Sequence, residues 1–207
     1  MDYLSLLRNS HIFAAAVREV LEEKFLEETT PSPLSLSQFH LLKLLSIRSS
    51  HHVREVADFL GMSTAAASKN ITKLEGLGLL ERNRSEGDRR AMELSITPKG
   101  RRTVLSYEEL KAARLYPLLS EFSEPEIEEF TRLLEQFSVR LYELELENGG
   151  EPQNGTCLRC AAYLDSTCPV GDLLGGCPYQ KVLQTGPPAA NPGRAENSPG
   201  HIADTVT

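Results

Sequence analysis

The run His52–Arg102, HVREVADFLGMSTAAASKNITKLEGLGLLERNRSEGDRRAMELSITPKGRR, decides the reading of this chain. Val53, Val56, Ala57 and Leu60 fall at helical spacing, and Gly61, free to take a positive φ, ends that segment. After the turn Gly61-Met62-Ser63, Ser63 can cap a second helix with a buried face of Ala67, Ile71 and Leu74. Its opposite face offers Thr64, Ser68, Lys69 and Lys73. A short helix, a tight glycine turn and a basic second helix make a helix-turn-helix. Leu77-Gly78-Leu79-Leu80 then closes the helix and starts a strand. Arg82 and Arg84 lead to a polar tip at Ser85-Glu86-Gly87-Asp88, and Met92, Leu94 and Ile96 alternate on the way back, as in a β-hairpin.

These residues resemble the winged-helix DNA-binding domain of the MarR family of transcriptional regulators. The landmarks are VADFLGMSTAAASKNITKLEGLGLLER, an Asp-x-Arg wing signature at Asp88-Arg89-Arg90, and the Leu-Ser-Ile-Thr-Pro-Lys-Gly run at 94–100. The resemblance covers about residues 3–147 and implies a mainly α fold with a small β-hairpin wing: a winged helix-turn-helix at 48–97 and a helical dimerisation region formed by 1–47 and 98–147. It further implies that the second helix of the motif enters the major groove, with Ser63, Thr64, Ser68 and Lys69 facing bases or phosphates and Lys73 reaching the backbone. Asp88 would orient the wing while Arg89 or Arg90 enters the minor groove, the alternative being a structural Asp88–Arg90 salt bridge without DNA contact, and Arg82 and Arg84 either join them or remain solvated strand charges. Ala65 and Ala66 stand where relatives often carry small polar groups, so direct readout is lean. Asn70 replaces a usually apolar residue and either adds a polar contact or faces solvent.

Charge distribution agrees with a nucleic-acid partner despite a net charge of −7 over 207 residues. From Lys69 to Arg102 nine Lys/Arg face five acids, a surplus of four that leaves −11 for the remainder. A basic face on an acidic body suits a duplex, because phosphate neutralisation supplies much of the affinity and acids more than ~10 Å away are screened. No secretory signal is expected: Met1–Glu28 is acidic and its longest apolar run, Ile12–Val17, is too short for a leader core or a membrane span. The expectation is a cytoplasmic protein without membrane contact.

Outside the motif, Leu6, Phe13, Val17, Val20, Leu21 and Phe25 predict one long amphipathic helix over 3–28, ended by Pro31 and Pro33. Ser35 with Gln38 is a capping-box pattern for a helix running to about Ile47, and Arg48–His52 is a polar break. Thr97 can cap a helix with Pro98 at its first position, and Pro117 should kink or divide that helix at about Tyr116. Ser123-Glu124-Pro125-Glu126 is another capping box, followed by Ile127, Phe130, Leu134, Phe137, Leu141 and Leu144 stepping three and four in alternation until Asn148-Gly149-Gly150. Such a seam wants a partner helix; the alternative is an intramolecular core stripe. The resemblance implies a homodimer through the first and last helices, and two-fold pairing on a palindromic operator is the usual route to specificity for a module with a short half-site.

All four cysteines lie within 21 residues, Cys157, Cys160, Cys168 and Cys177, in the pattern C-x2-C-x7-C-x8-C. A polar linker at 148–156 precedes this Cys-rich module (157–180), and a Pro- and Gly-bearing tail (185–207) with a disorder-type composition follows it. Disulfides fit a cytoplasmic regulator poorly, so metal ligation leads. Four thiolates suit an iron–sulfur cluster or zinc. Proline after Cys168 and Cys177, and glycines at 171, 175 and 176, favour a [4Fe–4S] centre; structural zinc and a metal-free thiol switch are the alternatives. The segment lacks the nearby His and Glu that a zinc deaminase needs, and no phosphate loop or nucleophile constellation is present, so binding rather than catalysis is expected. The input is then either the cysteine centre acting as a redox or iron–sulfur sensor, or a small aromatic or amphipathic effector of the kind the resemblance implies. In the second case the Cys module is a structural zinc site or a protein-docking knob. His11, His40, Tyr107 and Tyr116 either line an effector crevice or pack in the core.

Overall fold

The computed structural model describes residues 3–30, 32–47, 51–84, 92–150, 168–171 and 173. Helix α1 (Tyr3–Ala16) continues through a π-helical stretch, Val17–Lys24, into α2 (Phe25–Thr29). Helices α3 (Leu36–Ile47), α4 (Val53–Phe59) and α5 (Thr64–Gly76) follow, with strand β1 (His51–His52) between α3 and α4. Strands β2 (Leu80–Arg84) and β3 (Met92–Ile96) precede the long helices α6 (Pro98–Leu119) and α7 (Glu124–Glu147). The result is mainly α, with a three-stranded antiparallel sheet in the order β1-β3-β2.

Helix α3 is the centre of the core. Seven of its twelve residues are apolar, and Phe39, Leu41, Leu42, Leu44 and Leu45 are all buried. Around it lie Phe25 and Leu26 of α2, Val56 of α4, Ile71 and Leu74 of α5, Leu80 and Leu94 of the sheet, and Val104 and Tyr107 of α6. Ser35 and Gln38 close the capping box ahead of α3: Gln38 N–H donates to Ser35 Oγ and Ser35 N–H to Gln38 Oε1, at 3.3 and 3.0 Å.

Glycines at left-handed φ stop three helices: Gly61 after α4, Gly78 after α5 and Gly149 after α7. At α5 the bonds are those of a Schellman turn, Leu79 N–H to Leu74 O and Gly78 N–H to Glu75 O, both 2.9 Å. Leu79 and Leu74 are both buried and belong to one cluster, so the helix end and the core agree.

The outer helices are different. Neither α1 nor α7 has a buried residue. Along α7 the seam residues Phe130, Leu141 and Leu144 are half exposed, and Leu6, Ile12 and Phe13 of α1 are similarly open, with a single edge-to-face contact between Phe13 and Phe130 at 5.7 Å. Among the described residues, therefore, the heptad seam has no buried core to join.

Two expectations need correction, and a third is refined. The first helix is continuous over Tyr3–Thr29, as its spacing predicts, with eight of its residues in the wider π form. Helix α6 is not divided at Tyr116: it runs through Pro117 and ends at Leu119, where Glu121 N–H to Leu118 O and Phe122 N–H to Leu119 O tighten the turn. Pro117 lies in the last turn, where its missing N–H forfeits only one bond. Finally, the break before α4 contains β1, whose His51 pairs with Leu94. Among the described residues no helix is long and apolar enough to cross a membrane.

Candidate nucleic-acid interface

The second helix of the motif is α5, and its construction follows the sequence closely. Ser63 is extended (φ −65°, ψ 149°) and its Oγ accepts from Ala66 N–H at 3.2 Å. Ala67, Ile71 and Leu74 are buried against the core, while Ser63, Thr64, Ala65, Ala66, Ser68, Lys69 and Lys73 are exposed. Burial of one stripe thus leaves a small-residue and basic face turned outward, with no bulky side chain to hold it off a flat or grooved partner.

Three contacts fix how α5 is rolled. Asn70 is half buried rather than solvated: its Oδ1 accepts from Gln38 Nε2 at 3.3 Å, and its Nδ2 lies 3.8 Å from Met62 Sδ. The capping residue of α3 therefore also holds the middle of α5. Lys73 Nζ lies 3.4 Å from the carbonyl oxygen of Pro33, a long and exposed contact. Arg82 donates through Nη2 to Thr72 Oγ1 at 3.0 Å, and its Nε is 3.5 Å from Glu75 Oε2, close enough for an ion pair but too poorly aimed for a hydrogen bond.

Strand alternation explains Arg82. Leu80 pairs with Ile96, Arg82 with Leu94, and Arg84 with Met92. Leu80 and Leu94 face the core, so Arg82 shares their side of the sheet and lies against α5. Glu81, Asn83 and Ser95 occupy the other face and bond one another at 3.0–3.3 Å. Arg82 is thus turned toward α5 with 29% of its side chain exposed, whereas the strand carries the backbone of Arg84 two pairs nearer the tip. The tip itself, with Asp88, Arg89 and Arg90, lies outside the described residues.

The Thr-Pro-Lys-Gly run clamps the other end of α5. Thr97 Oγ1 accepts from Gly100 N–H at 3.1 Å and donates to Gly78 O at 2.7 Å. Thr97 N–H reaches Leu79 O at 3.1 Å, and Lys99 Nζ donates to Leu77 O at 2.7 Å, placing a cation where the helix dipole is negative. Gly100 is required by space: a Cβ there would stand 2.0 Å from Leu79 O and 2.8 Å from Ile96 Cγ1.

The four candidate effector residues sit in unlike environments. Tyr107 is packed in the core, its hydroxyl donating to Leu21 O of the π-helical stretch at 2.6 Å and its ring 4.5 Å from Phe39. His40 is half buried, and His11 and Tyr116 are exposed. Of the cysteines, Cys168 alone falls among the described residues. Its carbonyl accepts from Gly171 N–H at 3.0 Å, and a Cβ on Gly171 would stand 3.1 Å from that same oxygen, a tight fit within the turn. Cys157, Cys160 and Cys177, most of the linker and the tail at 185–207 lie outside the described residues.

Several residues that hold the site were not singled out from sequence. The roles of Lys99 and Gly100 depend on where α6 meets α5, and the Gln38–Asn70 bond joins residues 32 positions apart. The capping-box motif flagged Gln38, though only for its local bond.

Residues 34–92 match the model of the MarR family. The match runs from α3 to the first residue of β3. MarR-family proteins are transcription regulators, not enzymes. FabT of Streptococcus pneumoniae, solved in complex with DNA, superposes with a TM-score of 0.58 at 25% identity, covering 69% of this chain and 99% of FabT. A MarR family protein from Bacillus stearothermophilus gives 0.55 at 21% identity, covering 68% and 98%. A mutant of MepR from S. aureus bound to an oligodeoxyribonucleotide gives 0.52 at 20% identity, covering 68% and 99%. The fold is therefore a MarR-type winged helix over about two thirds of the chain. No curated protein sequence matches it.

Proposed function

We propose that this protein is a homodimeric, sequence-specific, double-stranded-DNA-binding transcription regulator, acting as a repressor, whose hold on DNA is modulated by a C-terminal four-cysteine metal centre. The observation that carries the DNA-binding reading is the outward face of α5, small and basic, on a helix rolled into place by Gln38, Arg82 and the Thr97–Gly100 clamp. FabT and the MepR mutant, which share this fold, were solved with DNA.

In this reading Ser63, Thr64 and Ser68 meet base edges or phosphates, Lys69 and Lys73 neutralise phosphates, and Ala65 and Ala66 let the backbone approach. Arg84, Asp88, Arg89 and Arg90 belong to the wing, with a guanidinium in the minor groove. Arg82, held by Thr72 and Glu75, supports α5 from behind. The half-exposed seam of α7 and the open face of α1 supply the two-fold contact that reads a palindrome.

Cys157, Cys160, Cys168 and Cys177 would hold a [4Fe–4S] cluster or, failing that, zinc; the all-thiolate donor set and the glycine turn after Cys168 suit either. Such a centre would supply a metal- and, for iron–sulfur, redox-dependent crosslink just beyond the dimer helix. It regulates only by stabilising one dimer arrangement over another.

The test is anaerobic purification followed by absorption spectroscopy, metal analysis and duplex binding. Brown protein containing iron and sulfide, whose DNA binding changes on exposure to air, supports the sensor. Colourless protein with one zinc per chain and unchanged binding removes it. A second reading, a small-molecule effector with a structural or docking Cys module, draws on the π-helical Val17–Lys24 stretch beside α6, because π-helical irregularities recur at functional sites. Metal-independent DNA binding that a ligand weakens would favour it.

A further inference from the structure

The groups best shaped to grip a base are the ones that α5 does not turn outward. Direct readout draws its strongest contacts from Arg forked onto guanine and from Asn or Gln forked onto adenine. Asn70 is the one amide side chain on α5, and both ends of it are engaged inward: Oδ1 accepts from Gln38 Nε2 at 3.3 Å, and Nδ2 lies 3.8 Å from Met62 Sδ. Arg82 is turned onto the flank of the same helix, donating to Thr72 Oγ1 at 3.0 Å beside Glu75. The exposed residues of α5 are then Thr, Ala, Ser, Lys, Glu and Gly alone. Helical periodicity ranks them. At about 100° per residue, the positions most nearly opposite the buried stripe Ala67-Ile71-Leu74 are Ala65 and Lys69, with Ala66 and Ser68 to either side.

We infer, resting on the DNA-binding reading above, that the half-site is read chiefly through the 5-methyl groups of thymine, with Ala65 and Ala66 as the specificity-determining residues. An α-helix with its side chains is about 10–12 Å across and the major groove about 12 Å wide, so the outermost side chains set how closely the backbone approaches the base edges. Alanines at those positions bring the backbone in. Their Cβ methyls then meet the thymine methyl, the one apolar group among the donors and acceptors of the major groove. The contact needs no hydrogen-bond donor and freezes no rotamer, since alanine has none to lose. Lys69 beside them is a point charge on a flexible stem, suited to neutralising phosphate. An A·T pair is thus recognised through the methyl of its pyrimidine, and the N6 and N7 of its purine are left without an amide to grip them.

The test starts from a palindromic duplex selected by the full-length wild-type protein from a randomised pool. Each thymine is then replaced singly by deoxyuridine, which lacks the 5-methyl and keeps every hydrogen-bonding group. At one or two thymines in each half-site the replacement should weaken wild-type binding about three- to fourfold, the value of one buried methyl. Ala65→Gly or Ala66→Gly removes the opposing methyl and should bind the thymine and deoxyuridine forms of its position alike. That ratio is taken within each variant, so any loss of helix stability cancels. Indifference to deoxyuridine throughout the half-sites overturns the inference, as does a penalty that survives in both glycine variants or a selected half-site without thymine. Affinity that falls with 7-deazapurines while ignoring deoxyuridine would assign the readout to purine hydrogen bonds instead. A wild-type protein that enriches no duplex removes the DNA-binding reading first, and this inference with it.

Discussion

Substituting Gly100 by alanine tests whether α6 presses on the end of α5 as tightly as described. The new Cβ would sit 2.0 Å from Leu79 O and 2.8 Å from Ile96 Cγ1, and the first of these is backbone that cannot rotate away. Overpacking of this kind costs ~1–3 kcal/mol, and separating the elements also loses the Thr97 N–H to Leu79 O bond, about 1 kcal/mol. Alanine regains at most ~1 kcal/mol of helix propensity at the third residue of α6. The net is about 1–3 kcal/mol, towards the upper end because the closest clash is with backbone, or roughly 2–12 °C in melting temperature for a chain of this size. Gly78→Ala is the control, because its surroundings are open and only its φ of +69° opposes a side chain. That costs ~1–2 kcal/mol, partly offset by a stiffer unfolded chain. Thermal denaturation followed by circular dichroism should rank Gly100→Ala well below Gly78→Ala. A Gly100→Ala protein melting within about 2 °C of wild type would refute the close approach.

Three further outcomes can be measured. Leu141→Asp places a charge in the half-exposed seam of α7, so sedimentation should show a dimer dissociation constant raised by about a hundredfold or more, with the far-ultraviolet spectrum unchanged; an intact dimer would mean that the seam does not form the two-fold contact. Arg90→Ala should weaken duplex binding and lower the salt slope by about one, whereas an unchanged affinity at physiological salt removes Arg90 from the interface. Glu108 has a depressed folded-state pKa, so its contribution is present above the ordinary carboxylate value of about 4.5 and is lost as pH falls through the folded value. Urea midpoints should therefore drop more steeply below that pH in wild type than in Glu108→Gln; parallel curves would show that the ion pairs of Glu108 with Lys43 and Lys111 add no acid sensitivity.

The parts of this structure governed by local rules were legible in the sequence. The caps at Ser63, Thr97 and Ser123, the left-handed glycines and the buried stripe Ala67-Ile71-Leu74 all stand where spacing and residue type placed them. The seam could not be resolved between core and partner by pattern alone, because both need the same three-four repeat. What decided its exposure within the chain was the position of α7 outside the core.

Long-range features were harder to read. Nothing in a one-dimensional pattern distinguishes Arg82, which shares the inner face of the sheet with Leu80, from a wing arginine reaching for a phosphate. Asn70 reads as an oddity until Gln38 arrives from another helix. Strand β1 is two histidines long and is defined by its partner β3, and the π-helical stretch carries no glycine or proline to announce it.

The central claim is that the open face of α5 reads duplex DNA, and Ser68→Asp tests it most directly. Ser68 is exposed on α5, so the substitution should leave the fold and melting temperature essentially unchanged. In a groove lined by phosphates the added carboxylate should repel, costing several kcal/mol and at least about a hundredfold in affinity for the selected duplex. Affinity lost with stability retained is the predicted result; a Ser68→Asp protein that binds the duplex as tightly as wild type would contradict the account.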